Sequence, residues 1–216
     1  MAAVGVSHVY PLGSRLNERG ALEIGGCDAL ELAREFGTPA YVYAEDDMRA
    51  RARSFVEAFR SRSDRFEVIY ASKAFPCTAA YRVFAEEGLS ADVASGGELH
   101  LALAGGYTGE RLYLHGNNKS PAELDYAIES GVGHIVVDSF DEIERLRGRG
   151  VRVLIRVTPG IQPSTHSYIQ TGQADSKFGF PLADVPQAVE ACAAAGLELR
   201  GLHAHIGSQV FELGAF

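Results

Sequence analysis

Phe66-Glu67-Val68-Ile69-Tyr70-Ala71-Ser72-Lys73-Ala74-Phe75-Pro76 is the stretch from which the fold can be read. Its first six residues are β-branched or aromatic at most positions and too few for a helix, so they predict a buried strand over 66–71. The strand gives way to a loop at Lys73. Of 20 Lys and Arg residues, the lysines are only Lys73, Lys119 and Lys177. Arginine covers the surface, so a lysine beside an apolar strand calls for a reason. One reason is an ammonium snorkelling from a strand end. The other is an amine in a partly dry pocket, activated to form a Schiff base.

Outward from this stretch, strand and helix patterns alternate every 20 to 25 residues. A helix is expected at 78–87, a strand at 91–94, and a helix from Ser95-Gly96-Gly97-Glu98 to about Ala104. A strand at 111–115 leads into Gly116-Asn117-Asn118-Lys119. Ser120-Pro121-Ala122-Glu123 is a strong helix start, with an N-cap, proline at N1 and glutamate at N3. A strand at 134–137 meets Asp138, and Ser139-Phe140-Asp141-Glu142 reads as another capping box. Strand 151–157 carries Arg156. A long loop over 158–180 is followed by a helix at 182–195 and a strand at 198–206. Toward the N-terminus, Asp28 caps a short helix that Gly37 ends, Tyr41–Ala44 reads as a strand, and 46–60 as an amphipathic helix. Residues 1–27 look like extended pieces that pack on something else.

Repeated β/α units with continuous apolar strands imply parallel strands covered on both faces. No G-x-G-x-x-G follows the first strand, which argues against a dinucleotide fold. The expected fold class is therefore α/β, an incomplete (β/α)8 TIM-type barrel with one or two units absent from the chain.

Composition narrows the function classes. The 216 residues are 46% hydrophobic and 22% charged, ordinary for a globular domain. A net charge of −8 disfavours nucleic acid or an anionic membrane as partner. Three scattered cysteines, Cys27, Cys77 and Cys192, suggest neither disulfides nor a zinc cluster and fit a reducing cytoplasm. No apolar run reaches the length of a membrane span, and the opening residues do not read as a signal peptide.

Polar residues in apolar surroundings fall at one place in the repeating unit, the C-terminal end of a strand. They are Lys73, Asp92, His115 with Asn117, Asp138, Arg156, and His203 with His205. In a β/α barrel those ends form one rim, where sites lie. In His203-Ala204-His205-Ile206-Gly207-Ser208, strand alternation sends both histidines to one face. Three readings stay open for them: a metal chelate, a flat imidazole stacking on a planar cofactor, or two satisfied core histidines. On the second reading, Gly207-Ser208 offers a close backbone amide and a hydroxyl to a phosphate. Ser95-Gly96-Gly97-Glu98 is either a simple strand-to-helix turn or a place of close ligand approach.

These segments resemble the fold-type III pyridoxal-phosphate decarboxylases. The resemblance rests on Phe36–Tyr43, Tyr70-Ala71-Ser72-Lys73-Ala74, Asp92–Leu99, His115–Ser120, Lys177-Phe178-Gly179-Phe180 and His203–Gln209, in the family's order across nearly the whole chain. The Asn-Asn-Lys loop and the Ile-Gly-Ser-Gln ending are more similar to the diaminopimelate branch than to the ornithine branch. The resemblance implies an alanine racemase-like barrel over 41–216. It also implies that residues 1–40 pack with a second β-domain that is mostly missing. It implies pyridoxal 5'-phosphate held by Lys73, His205 stacked on its ring, Ser208 on its phosphate, and Asp92, Glu98 and Arg156 around it. Lys73 and His205 would be the catalytic pair, and no metal is implied.

The implied activity is decarboxylation of meso-2,6-diaminopimelate to L-lysine and CO2, in a cytoplasmic homodimer with a shared active site and Lys177 near the partner subunit. Alternatives on the same scaffold are an ornithine or arginine decarboxylase, a racemase, or a non-catalytic pyridoxal-phosphate-binding protein. Family members continue for roughly as many residues again. The expectation is thus a truncated chain, an open barrel inactive alone, without the glycine-rich phosphate loop, the acid facing the pyridine nitrogen, the substrate Arg or the cross-dimer Cys.

Overall fold

A computed structural model describes residues 6–160, 177–207 and 214. The chain divides into two compact units, Met1–Val68 with Arg82–Leu89, and Ile69–Tyr81 with Ser90–Phe216.

In the first unit, β1 (Arg15–Leu16), β2 (Leu22–Ile24) and β3 (Cys27–Asp28) form a small antiparallel sheet. Helix α1 (Ala29–Phe36) starts where the Asp28 carboxylate accepts the amides of Leu30 and Glu31, and it ends at Gly37 with φ 82°. The Glu31 carboxylate pairs with Arg19 at 3.0 Å. Helix α2 (Glu45–Arg60) carries three acids in its first turn, matched to the positive helix end. Of its apolar face only Ala52 is buried, while Phe55 and Phe59 are exposed. Arg49 and Arg53 of α2 grip the Glu87 carboxylate at 2.9 and 2.6 Å.

The second unit is a parallel sheet with its covering helices. Its strands are β4 (Ile69–Ala71), β5 (Ser90–Val93), β6 (Leu112–Leu114), β7 (His134–Val137), β8 (Arg152–Thr158), β9 (Phe180–Pro181) and β10 (Glu198–Ala204). They lie in the order β10-β8-β7-β6-β5-β4, with β9 also on β8. Between them run α3 (Thr78–Glu86, whose later turns belong to the first unit), α4 (Gly96–Ala104), α5 (Pro121–Glu129), α6 (Phe140–Arg145) and α7 (Val185–Ala194). From β4 to β8 sequential strands are neighbours in the sheet, as a barrel requires and a doubly wound sheet does not. Among the described residues β4 and β10 are its two edges. The chain thus has the α/β fold expected, an open portion of a β/α barrel.

The pleat sorts the strands by chemistry. Val93, Leu112, Leu114, Ile135, Val137, Val153 and Ile155 are at most 1% exposed and form the core. The register runs Asp92↔Tyr113, Tyr113↔His134, Val136↔Leu154, Leu154↔Gly201 and Arg156↔His203, so these residues share the opposite face. One face is apolar; the other carries a carboxylate, a guanidinium and two imidazoles.

Several expectations are corrected. The predicted strand 66–71 is only Ile69–Ala71, and it is not buried: Ile69 is exposed, and among the described residues β4 has a single strand neighbour. Tyr41–Ala44 has strand composition but is not a strand, and Tyr41 is 93% exposed. A strand needs a partner for its backbone groups, which composition cannot supply. Strand 111–115 shrinks to Leu112–Leu114, because Gly109–Arg111 winds into a 3-10 turn. In β10 the apolar Leu202 is exposed while His203 on the other face is half-buried. Most of the loop at 158–180 lies outside the described residues.

Candidate functional site

Each rim residue is placed by a local device. The 3-10 turn Ser72–Ala74 follows β4 and carries Lys73. Ser72 is fully buried and anchors the turn to β5: its amide donates to Asp92 Oδ1 at 2.9 Å and its hydroxyl to the Asp92 carbonyl at 2.6 Å. Asp92 therefore fixes where Lys73 stands. The Lys73 ammonium is near enough to Asp92 and to His205 to act on the ionisation of both. Burial raises the Asp92 carboxyl, against the Ser72 hydrogen bond and the Lys73 charge.

Next along the rim, His115 stands with Nε2 3.8 Å from Asp92 Oδ2 and its ring 4.7 Å from that of His203, edge to face. Burial pushes His115 down to about 3, aided by His203, Lys119 and Arg156. Burial and then Arg156 push His203 down to about 4. His205 is lowered by burial, then by Lys73 and Arg156. All three rings are thus shifted toward the neutral form. His203 Nδ1 is buried without a hydrogen-bond partner.

Arg156, at the end of β8, is buried, with Nη1 3.6 Å from Asp138 Oδ1 and its guanidinium 4.4 Å over the Phe178 ring. Asp138 Oδ2 accepts the Gly179 amide at 2.9 Å. Gly179 has φ +70°, and a Cβ there would stand 2.8 Å from the Arg156 carbonyl oxygen, so the close crossing demands glycine. Lys177 is exposed, its ammonium 5.2 Å from the Phe178 ring centre.

The structure thus brings Lys73, Asp92 and His205 together, and links His115, His203, Arg156 and Asp138 beside them. Glu98 sits in the first turn of α4, and its carboxylate accepts the Ala94 amide at 2.6 Å. The Ser95-Gly96-Gly97-Glu98 turn is tied up internally: Ser95 caps α4, and the Gly96 amide donates to Glu123 Oε1 at 3.0 Å. Ser208 lies outside the described residues. Among the described residues, no three His, Cys, Asp or Glu side chains converge as a metal site.

Sequence reading missed two parts. One is Ser72, whose small hydroxyl gives no signal of its own. The other is the buried pair Lys119–Glu142, 2.8 Å apart with side chains 2% and 6% exposed. Glu142 read as the far end of a capping box; Ser139 does cap α6, but the Glu142 carboxylate turns to Lys119 and to the Asp138 amide. The scarcity of lysine was the available clue to Lys119.

The residues suit pyridoxal phosphate. An exposed amine stands beside a carboxylate, imidazoles shifted toward neutrality can lie flat against a ring, and His203 Nδ1 and Asp138 Oδ1 are buried without hydrogen-bond partners among the described residues. Lys73 would hold the aldehyde carbon, and Asp92, His205 and Arg156 would line the ring.

Residues 45–216 match the family described as "Pyridoxal-dependent decarboxylase, pyridoxal binding domain". Diaminopimelate decarboxylase of Bacillus subtilis is 50% identical over 212 residues, covering 94% of this chain and 48% of the relative. That of Actinosynnema pretiosum is 50% identical over 214 residues, covering 96% and 48%. The crystal structure of diaminopimelate decarboxylase from M. jannaschii in co-complex with L-lysine superposes with TM-score 0.84 at 30% identity, over 93% of this chain and 49% of that one. The chain spans about half the length of the curated relatives it matches. It belongs to the pyridoxal-dependent decarboxylases and carries their pyridoxal binding domain.

Proposed function

We propose that the protein containing this chain decarboxylates meso-2,6-diaminopimelate to L-lysine and CO2. The observation that carries the reading is Lys73, held by the Ser72–Asp92 anchor beside His205 at the rim of the sheet. Relatives 50% identical bear the name diaminopimelate decarboxylase. When bound, pyridoxal phosphate supplies the electron sink for the electron pair left as CO2 departs.

The chain's own residues do the rest. Lys73 would hold the cofactor through its amine and is the group a substrate amine would have to replace. Asp92 keeps the Lys73 turn in place. His205, shifted toward its neutral form, would cover the ring face and exclude water from it, and Arg156 and Glu98 would border the ring. Ser208 holds the phosphate. Three free thiols support a reducing, cytoplasmic setting, and among the described residues no helix is long and apolar enough to cross a membrane. The proposal includes a homodimer with Lys177 at the subunit contact, and residues 1–40, with their small antiparallel sheet, packing on a second β-domain.

Borohydride reduction of the protein with pyridoxal phosphate should label Lys73 alone, and Lys73→Ala should abolish the label. Label on Lys119 or Lys177 instead would sink the site. The full-length protein should release CO2 from meso-diaminopimelate; release from ornithine or arginine alone would overturn the substrate.

A further inference from the structure

Lys119 and Glu142 are buried charges with no part in the chemistry above. Burying an ion pair gives little stability over apolar residues of the same size, so its value lies in direction. The Lys119 ammonium has three N–H bonds and places all three: on the Gly116 carbonyl at 2.6 Å, the Val136 carbonyl at 2.8 Å and Glu142 Oε1 at 2.8 Å. These partners belong to the loop after β6, to β7 and to α6. The other Glu142 oxygen accepts the Asp138 amide at 2.8 Å. Asp138 in turn holds the Gly179 amide and faces Arg156, and the Thr158 hydroxyl donates to the Phe178 carbonyl.

We propose that Lys119 and Glu142 are a positioning pair. They set Asp138, and through it Arg156 and the Lys177–Phe180 segment, at the rim of the cofactor site. An apolar pair of the same volume would fill the space and leave the Asp138 backbone without its acceptor. The Asp138 carboxylate would then lose its fixed bearing on Gly179 and Arg156. The inference rests on the cofactor reading above only for what the rim binds.

The test uses the full-length protein and compares Glu142→Gln, Glu142→Leu and the double variant Lys119→Met with Glu142→Leu. Three quantities are read: pyridoxal phosphate affinity, hydrogen exchange of the Gly179 amide in the cofactor-free protein, and melting temperature. Glu142→Gln leaves one acceptor oxygen where Glu142 has two; turned to the Asp138 amide, it should keep affinity and exchange within about threefold of wild type, at a cost in melting temperature because its NH2 then faces Lys119. Glu142→Leu should weaken affinity and speed Gly179 exchange by about tenfold or more. The double variant should regain melting temperature, because no charge is stranded, yet keep the weak affinity and the fast exchange. A double variant that recovers all three quantities shows a merely structural pair and overturns the proposal. So does Glu142→Leu with affinity and exchange unchanged. If Glu142→Leu fails to fold, the double variant against Glu142→Gln makes the same comparison. A wild-type protein that binds no pyridoxal phosphate would sink the cofactor reading, and Gly179 exchange would still decide the pair.

Discussion

The neutral imidazoles of His115 and His203 make acid destabilisation calculable. Burial, with Arg156 and Lys119 close by, holds them down to about 3 and about 4, against an ordinary value of 6.5. Asp92 stands 3.8 Å from His115, and burial raises its own carboxyl. A group whose folded value is depressed contributes stability above its unfolded value and loses it as pH falls below that value. At about pH 5 both rings are still neutral in the folded protein and almost wholly protonated in the unfolded chain. Each then costs about 2 kcal/mol relative to about pH 8, or about 4 kcal/mol together. The figure depends on the unfolded value alone once the folded values lie well below pH 5. Near pH 5.5 the pair adds a slope of about 2.5 kcal/mol per pH unit. The assay is the urea midpoint of the cofactor-free full-length protein from about pH 8 to 5, for wild type and for His115→Gln with His203→Gln. Wild type should lose about 4 kcal/mol more than the double variant across that range. Parallel curves would refute the reasoning, as would imidazole proton resonances of either ring titrating near its ordinary value.

Other outcomes follow from single contacts. Ser72→Ala removes the hydroxyl bond to the Asp92 carbonyl. It should cost about 1 kcal/mol in stability and weaken pyridoxal phosphate binding measurably in a titration, since the Lys73 turn loses an anchor. Gly179→Ala forces a side chain into φ +70° against the Arg156 carbonyl. It should lower stability by about 2 kcal/mol or more in denaturant unfolding, with loss of affinity for the cofactor. Glu87, held down to about 2 by Arg53 and Arg49, loses its contribution as pH falls from about 4.5 toward 2. The gap in denaturation midpoint between wild type and Glu87→Gln should therefore narrow in that range.

Much of the fold was legible because it depends on local signals. Alternating β/α units, apolar strands and the caps at Asp28, Ser95, Ser120 and Ser139 are set by residues within a few positions of each other, and the structure has the caps where the pattern places them. The rim was legible for the same reason: a polar residue at the end of an apolar strand stands out by contrast. Lys73, Asp92 and His205, and beside them Arg156, were named from that contrast and from the family resemblance.

What the chain alone could not show depends on partners distant in sequence. Whether Phe66–Ala71 is buried depends on which strands lie beside it, and β4 proves to be an edge with Ile69 exposed. Tyr41–Ala44 has the composition of a strand and does not form one. Glu142 looked like a capping residue, since the sequence pattern records its distance from Ser139 and not from Lys119, 23 positions away. The uncharged state of His115 and His203 belongs to tertiary structure too, since it comes from burial and from Arg156 on a separate strand. Sequence determined that a lysine would end this strand; the fold decided that Ser72 and Asp92 would hold it there, because hydrogen bonds between strands exist only once the strands are side by side.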